Sequence, residues 1–148
     1  MTRTVVTRRI HAPAATVFDT VANINNYRKA VSHITNVEFL SERQSGAGTR
    51  IRETRAMKGR EVTEELEVTE YVPHEHVRIV ADTNGTVWDT VFRVEPRGDQ
   101  TELTITMDAK AYKLLPKLVN PLIKGMIQKA IGSDADAIKR YCEAQSEG

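Results

Sequence analysis

An α+β fold, with one long C-terminal helix laid across a curved antiparallel sheet, is predicted by three observations. From Leu114 to Cys142 apolar residues recur at spacings of three and four. From Ile34 to Ala111 the apolar period changes to two, in short runs separated by turn residues. Nothing earlier in the chain offers a helix of comparable length, so the apolar face of the last segment has to be covered by the sheet.

Taken in order, Thr4 to His11 alternates weakly through Val6, Arg8 and Ile10 and reads as a strand. Ala12-Pro13 ends it, with Pro13 well placed for a first helical turn. Ala14 to Ala22, carrying Val17, Phe18 and Val21, is a short helix. Asn23 to Val31 is a second one, opened by an Asn cap. The strands that follow are punctuated by Gly46-Ala47-Gly48, Lys58-Gly59, Pro73-His74, Asn84-Gly85 and Arg97-Gly98-Asp99. That spacing is characteristic of consecutive hairpins.

The strongest turn signal is Thr83-Asn84-Gly85-Thr86, a two-residue type I′ turn. Closing the hairpin there sets Ala81 opposite Trp88, Ile79 opposite Thr90 and Val77 opposite Phe92. The next hairpin, across Arg97 to Gln100, sets Val94 opposite Leu103 and Trp88 opposite Ala109. Trp88 then stands between two alanines, which reads either as size complementarity or as a cavity wall with room beside the ring.

The closing helix carries Leu115, Leu118, Val119, Leu122, Met126, Ala130, Ser133 and Ala137 on its stripe, widened by Ile123, Ile127, Ile131 and Ile138. Pro116 and Pro121 predict a frayed or kinked entry, with a regular helix from about Leu122. Gly125 and Gly132 are either tolerated weak points or places where a roof bends.

Two strands carry charges on their apolar faces. Ile51 and Met57 share a face with Glu53 and Arg55; Val62, Leu66, Val68 and Val72 share one with Glu64 and Glu70. Buried charges must pair or line a wet cavity. At Lys58-Gly59 a two-residue loop sets Glu53 opposite Glu64, whereas a four-residue loop sets Arg55 opposite Glu64. Like charges directly opposite are unfavourable, so Arg55–Glu64 pairing is expected, with Glu53 beside Arg55. The group is either a structural ion cluster that fixes register or a polar device that orients a ligand.

The whole, residues 1–148, is expected to be one domain with a core of its own. A net charge of +1, with charges scattered along the chain, argues against a nucleic-acid partner. No stretch has the length of a membrane span and no leader is evident, so a soluble, cytoplasmic protein with no membrane insertion is expected. The lone cysteine, Cys142, excludes an internal disulfide and reads as a packing residue. Of the four histidines, His11 precedes the Ala-Pro turn, His33 sits in the loop after the second short helix, and His74 and His76 are expected at the surface. His74 and His76 lack a third ligand for a metal, and no cofactor motif or nucleophile elbow is present. A homodimer is compatible with the sequence, which does not define an oligomeric state.

The segments RRIHAPAATVFDTVANINNYRKAV, GAGTRIRETRAMKGREVTEELEVTEYVPHEHVRIV and GTVWDTVFRVEPRGDQTELTIT, followed by the long helix, together resemble the START-like (SRPBCC) superfamily. Within it the chain is most similar to the polyketide cyclase/dehydrase and lipid-transport group. The resemblance implies a helix-grip fold, in which a seven-stranded curved antiparallel sheet wraps the C-terminal helix and two short helices close one end. It also implies a deep, largely apolar cavity for a lipid- or polyketide-like molecule. One departure is Arg28-Lys29-Ala30-Val31, where many relatives carry an aromatic residue.

The function expected is binding of a small hydrophobic ligand. Phe18, Met57, Leu66, Trp88, Phe92, Met107, Leu122 and Met126 would supply apolar walls, and Glu53, Arg55 and Glu64 would supply orientation. Two alternatives remain open: a polyketide cyclase, aromatase or dehydratase using the same cavity, and an assembly or regulatory partner with a small one. No residue is singled out as catalytic, although Glu53 or Glu64 could serve as acid or base if burial shifts it.

Overall fold

The computed structural model describes residues 2–57, 59–83, 85–113 and 121–147, with side chains in the last segment described from 124 to 146. Elements follow in the order β1 (Thr2–Ile10), α1 (Ala14–Ala22), α2 (Ile24–Ala30), β2 (Ile34–Phe39), β3 (Arg50–Met57), β4 (Arg60–Val72), β5 (His76–Thr83), β6 (Thr86–Arg97), β7 (Gln100–Ala111) and α3 (Pro121–Glu147). The seven strands form one antiparallel sheet in the order β1-β7-β6-β5-β4-β3-β2.

Local chemistry accounts for the short helices. Pro13 takes an extended conformation just before α1. The Asn23 side chain accepts hydrogen bonds from the Asn25 and Asn26 amides at 2.9 and 3.3 Å, capping α2 as its position suggests. Hairpin β5–β6 pairs Ala81 with Trp88, Ile79 with Thr90 and Val77 with Phe92. Hairpin β6–β7 pairs Val94 with Leu103 and Trp88 with Ala109. Turn chemistry and apolar pattern therefore select the same register.

Helix α3 is about 40 Å long at 1.5 Å per residue. It is held on both sides by aspartates two positions apart, which point to opposite flanks of a helix. Asp136 accepts from Arg8 Nε of β1 at 2.7 Å, and Asp134 accepts from Arg55 Nη1 of β3 at 2.9 Å. Strands far apart in the sheet thus reach the same helix, because the sheet curves around it. Ile131, Ala135, Ile138 and Cys142 form the buried stripe, packed with Val6, Ile10, Val17, Val21 and Leu103. Cys142 is a buried thiol donating to Thr20 Oγ1 at 3.3 Å, and burial pushes its pKa up.

The expected stripe needs correcting. Met126, Ala130 and Ser133 are exposed rather than buried, with Met126 56% exposed. The helix turns instead on the isoleucine row, which the sequence reading treats as its margin. Leu115, Leu118, Val119 and Pro116 lie outside the described residues, as do the side chains of Leu122, Ile123 and Pro121.

Strand β4 corrects a second expectation. Its register slips between Val68 and Glu70, where Thr69 is the extra residue. The slip reverses the faces beyond it. Tyr71 turns inward and packs edge-on against Phe18 at 5.4 Å, while Val72 is 39% exposed. Glu70 turns outward to Arg78 Nη1 at 2.6 Å and His76 Nε2 at 3.1 Å. His76, expected at the surface, is 9% exposed between Glu70 and Glu75. His74 takes a left-handed φ of 65° in the β4–β5 turn and packs against Phe18.

Candidate functional site

Between the inner face of the sheet, α2 and α3 lies a chamber of about 260 Å³. Strands β5 to β7 contribute Ile79, Ala81, Trp88, Thr90, Phe92, Ile105 and Met107 to its wall. Ile127, Ala130, Ile131 and Asp134 of α3 form the roof, and Val21, Ile24 and Tyr27 close one end. Strands β3 and β4 add Glu53, Arg55, Met57, Val62, Glu64 and Leu66. Met57 and Val62 are 46% and 37% exposed, so the wall runs out to solvent along this hairpin. A wider groove of about 550 Å³ on the outer side of α3, between Arg8 and Arg140, is open to solvent and lined mostly by polar side chains.

Of the residues expected at the site, Glu53, Arg55, Met57, Glu64, Leu66, Trp88, Phe92 and Met107 all line the chamber. Phe18 does not, because it is 2% exposed in the core behind α1, against Tyr71. Met126 does not either; it is 56% exposed, one turn before Ala130 of the roof. The side chain of Leu122 lies outside the described residues. Trp88 is on the wall beside Ala81, whereas Ala109, on its other flank, is 2% exposed and packed.

The polar end of the chamber is a connected group. Arg55 Nε donates to Glu53 Oε1 at 2.6 Å and Nη1 to Asp134 Oδ2 at 2.9 Å. The same Nη1 lies 3.2 Å from His33 Nε2. Glu53 is 5% exposed, and the Asp134 side chain 14%. The expected Arg55–Glu64 pair is not formed. The β3–β4 hairpin closes with a two-residue loop, so Met57 faces Arg60, Arg55 faces Val62 and Glu53 faces Glu64. Gly59, at φ 78°, supplies the left-handed residue that the tight turn requires. The turn prevails because Arg55 finds its carboxylates elsewhere: one on its own strand and one on α3, 79 residues away.

This arrangement shifts several titrations. Burial and the facing Glu53 carboxylate push the Glu64 carboxyl above its ordinary range, and Arg55 only partly offsets them. Burial, then Asp134, raises the Tyr27 phenol, which stays neutral. Burial opposes the charge on Arg55, but the surrounding acidic groups more than offset it and hold its pKa above the ordinary value.

Glu64 yields a pH-dependent prediction. A carboxyl raised in the folded state contributes its stability below the unfolded-state value and loses it as pH rises through the folded one. Glu64→Gln is therefore expected to stabilise the fold at pH 7 by about 0.2–1 kcal/mol, the scale of a like-charge cross-strand pair. Below the ordinary carboxyl range the gain should vanish. Urea unfolding at pH 7 and pH 3 checks this, and an equal effect at both would count against it.

Tyr27, His33 and Asp134 were not picked out from sequence as site residues. Tyr27 is 7% exposed, edge-on to Phe92 at 5.8 Å. Asp134 could have been found, because it falls three residues after Ile131 and four before Ile138, on the buried row. His33 has no comparable local signal; it reaches the site because its loop leads into β2, the neighbour of β3. Among the described residues no group of three or more His, Cys, Asp or Glu side chains is arranged to hold a metal ion.

A curved seven-stranded sheet gripping a C-terminal helix over an apolar chamber defines a START-like, helix-grip protein. Residues 1–143 match the family described as polyketide cyclase / dehydrase and lipid transport, and the chain belongs to that family. Solved structures bear out the architecture. TTHA0849 from Thermus thermophilus superposes with a TM-score of 0.80 at 18% identity, over 98% of this chain and 99% of that one. A START superfamily protein from Mycobacterium smegmatis gives 0.71 at 16%, over 98% and 97%. The di-domain ARO/CYC BexL from the BE-7585A biosynthetic pathway gives 0.76 at 16%, over 99% of this chain and 50% of that one. No curated protein matches the chain. Among the described residues no helix is long and apolar enough to cross a membrane.

Proposed function

We propose that this protein binds a small hydrophobic molecule, lipid- or polyketide-like, in the chamber between sheet and α3. The observation that carries this reading is the chamber itself: a preformed apolar space whose few polar groups converge at one end. Its volume is just below the range of about 300–1,000 Å³ common for ligand pockets, so the ligand is small. At about 30 Å³ per water-sized unit there is room for on the order of ten non-hydrogen atoms. A buried, unpaired thiol at Cys142 suits a reducing compartment, and we place this binding in the cytoplasm.

The sole tryptophan, Trp88, stands on the wall and reports occupancy directly. Native mass spectrometry of freshly purified protein is expected to show a co-purifying small mass. Titration with 1-octanol is expected to change Trp88 emission saturably. A bare polypeptide mass together with an unresponsive Trp88 would remove the reading.

A second reading, a cyclase, aromatase or dehydratase acting in the same chamber, is favoured by Glu64. Its carboxyl, raised by burial and by Glu53, lines the apolar space and could transfer a proton to a bound carbonyl. Turnover of a linear poly-β-keto thioester, lost in Glu64→Gln with binding retained, would establish it over simple carriage.

A further inference from the structure

If the chamber holds a ligand, its charges say which head group that ligand carries. Among the described residues on its wall, three carboxyls (Glu53, Glu64 and Asp134) face a single cation, Arg55. Arg55 would be the natural anchor for a ligand carboxylate, but its Nε and Nη1 are already engaged by Glu53 and Asp134. Even with Glu64 protonated, two carboxylates remain against one guanidinium.

Asp134 adds a second, independent sign. Its Oδ1 is buried without a hydrogen-bond partner. His33 Nε2 approaches that oxygen at 3.3 Å, yet the same nitrogen lies 3.2 Å from Arg55 Nη1. A guanidinium N–H can only donate, so in the tautomer whose Nε2 accepts from Arg55 that nitrogen cannot also donate to Asp134. In that tautomer Asp134, a residue of the wall, keeps a buried acceptor oxygen lacking a donor, and the wall holds more carboxyls than cations. A buried acceptor left unsatisfied costs free energy that an incoming O–H or N–H would recover. An incoming carboxylate would instead be desolvated beside like charges.

We propose that the chamber selects an apolar molecule ending in a hydrogen-bond donor without negative charge, an alcohol or phenol above all, and discriminates against fatty-acid-like carboxylates. This inference rests on the ligand-chamber reading, and one titration series separates the two. Wild-type protein is titrated at pH 7.5 with 1-octanol, octylammonium and octanoate, with Trp88 emission and calorimetry as readouts. The expected result is that 1-octanol binds about tenfold or more tighter than octanoate, with octylammonium also ahead of octanoate. Asp134→Asn, and independently Glu64→Gln, should narrow the alcohol-to-acid ratio severalfold. The Glu64 variant serves where loss of the Arg55 partner impairs folding.

Octanoate binding as tightly as 1-octanol to the wild type would overturn the charge inference and leave the chamber reading standing. A large ratio unchanged in both variants would overturn its assignment to these carboxyls. Failure of all three probes to bind folded protein would overturn both readings together.

Discussion

Arg55→Ala is expected to destabilise the fold by about 3–5 kcal/mol, the scale of removing one partner from a buried ion group. Two carboxylates depend on that guanidinium, Glu53 at 2.6 Å and Asp134 at 2.9 Å. Glu53 is almost wholly shielded, so water cannot replace what is lost. The Arg55 side chain is itself 24% exposed, which favours the lower end of the range. For a chain of this length a loss of about 3 kcal/mol corresponds to a fall of roughly 6–12 °C in Tm. The variant also unties α3 from β3, so the chamber should loosen along with the fold.

Arg55→Lys keeps the charge but not the planar fork that reaches both partners, and should fall between wild type and alanine. A triple replacement, Arg55→Met with Glu53→Gln and Asp134→Asn, should recover much of the loss, because it removes the charges along with their partner. Chemical denaturation monitored through Trp88 measures all three. An alanine variant within about 0.5 kcal/mol of wild type would mean that the group is solvated and contributes little to the fold.

How much of this was legible in the chain depends on which force decided each element. Hairpins β5–β6 and β6–β7 were readable to the residue, because Asn84-Gly85 and Gly98 demand particular turns and the apolar parity agrees with them. The β3–β4 hairpin was misread where two local rules conflicted. The sequence reading gives priority to like-charge repulsion between Glu53 and Glu64 over the tight turn at Gly59. The outcome was set by Asp134, a residue no local argument could bring to Arg55. Tertiary pairing relieved Arg55 of its need for Glu64, and the turn then prevailed. The slip at Thr69 was hidden for a similar reason. Alternation through Glu70 and Val72 looked regular, but Tyr71 gains more by packing on Phe18 than the pattern could show. Along α3 two apolar rows competed, and only the sheet could choose the isoleucine row over the one holding Met126. The identity of the site came mainly from composition on faces. Charged residues sharing strand faces with Ile51 and Leu66 pointed to Glu53, Arg55 and Glu64 before any contact was known.

Ala81→Phe is the sharpest probe of whether the space beside Trp88 is a binding site. Ala81 is 4% exposed, stands opposite Trp88 across the β5–β6 pair, and lies on the chamber wall. A phenyl ring added there is expected to extend into the chamber that Ala81 and Trp88 both line. Uptake of 1-octanol is expected to weaken by about 100-fold or more, roughly 2.7 kcal/mol of binding free energy. Stability should change little, since filling an existing void displaces no packed atom. The matched control is Ala109→Phe on the other flank of Trp88. That position is 2% exposed, closed in by β1 and β6, and not on the chamber wall. Overpacking there should cost about 1–3 kcal/mol of stability. The two variants place the same ring on either side of one tryptophan, so a shared phenotype would contradict the asymmetry of the wall. Lost binding with retained stability at 81, and lost stability at 109, would show that the small residue at 81 maintains the chamber whereas the one at 109 serves packing.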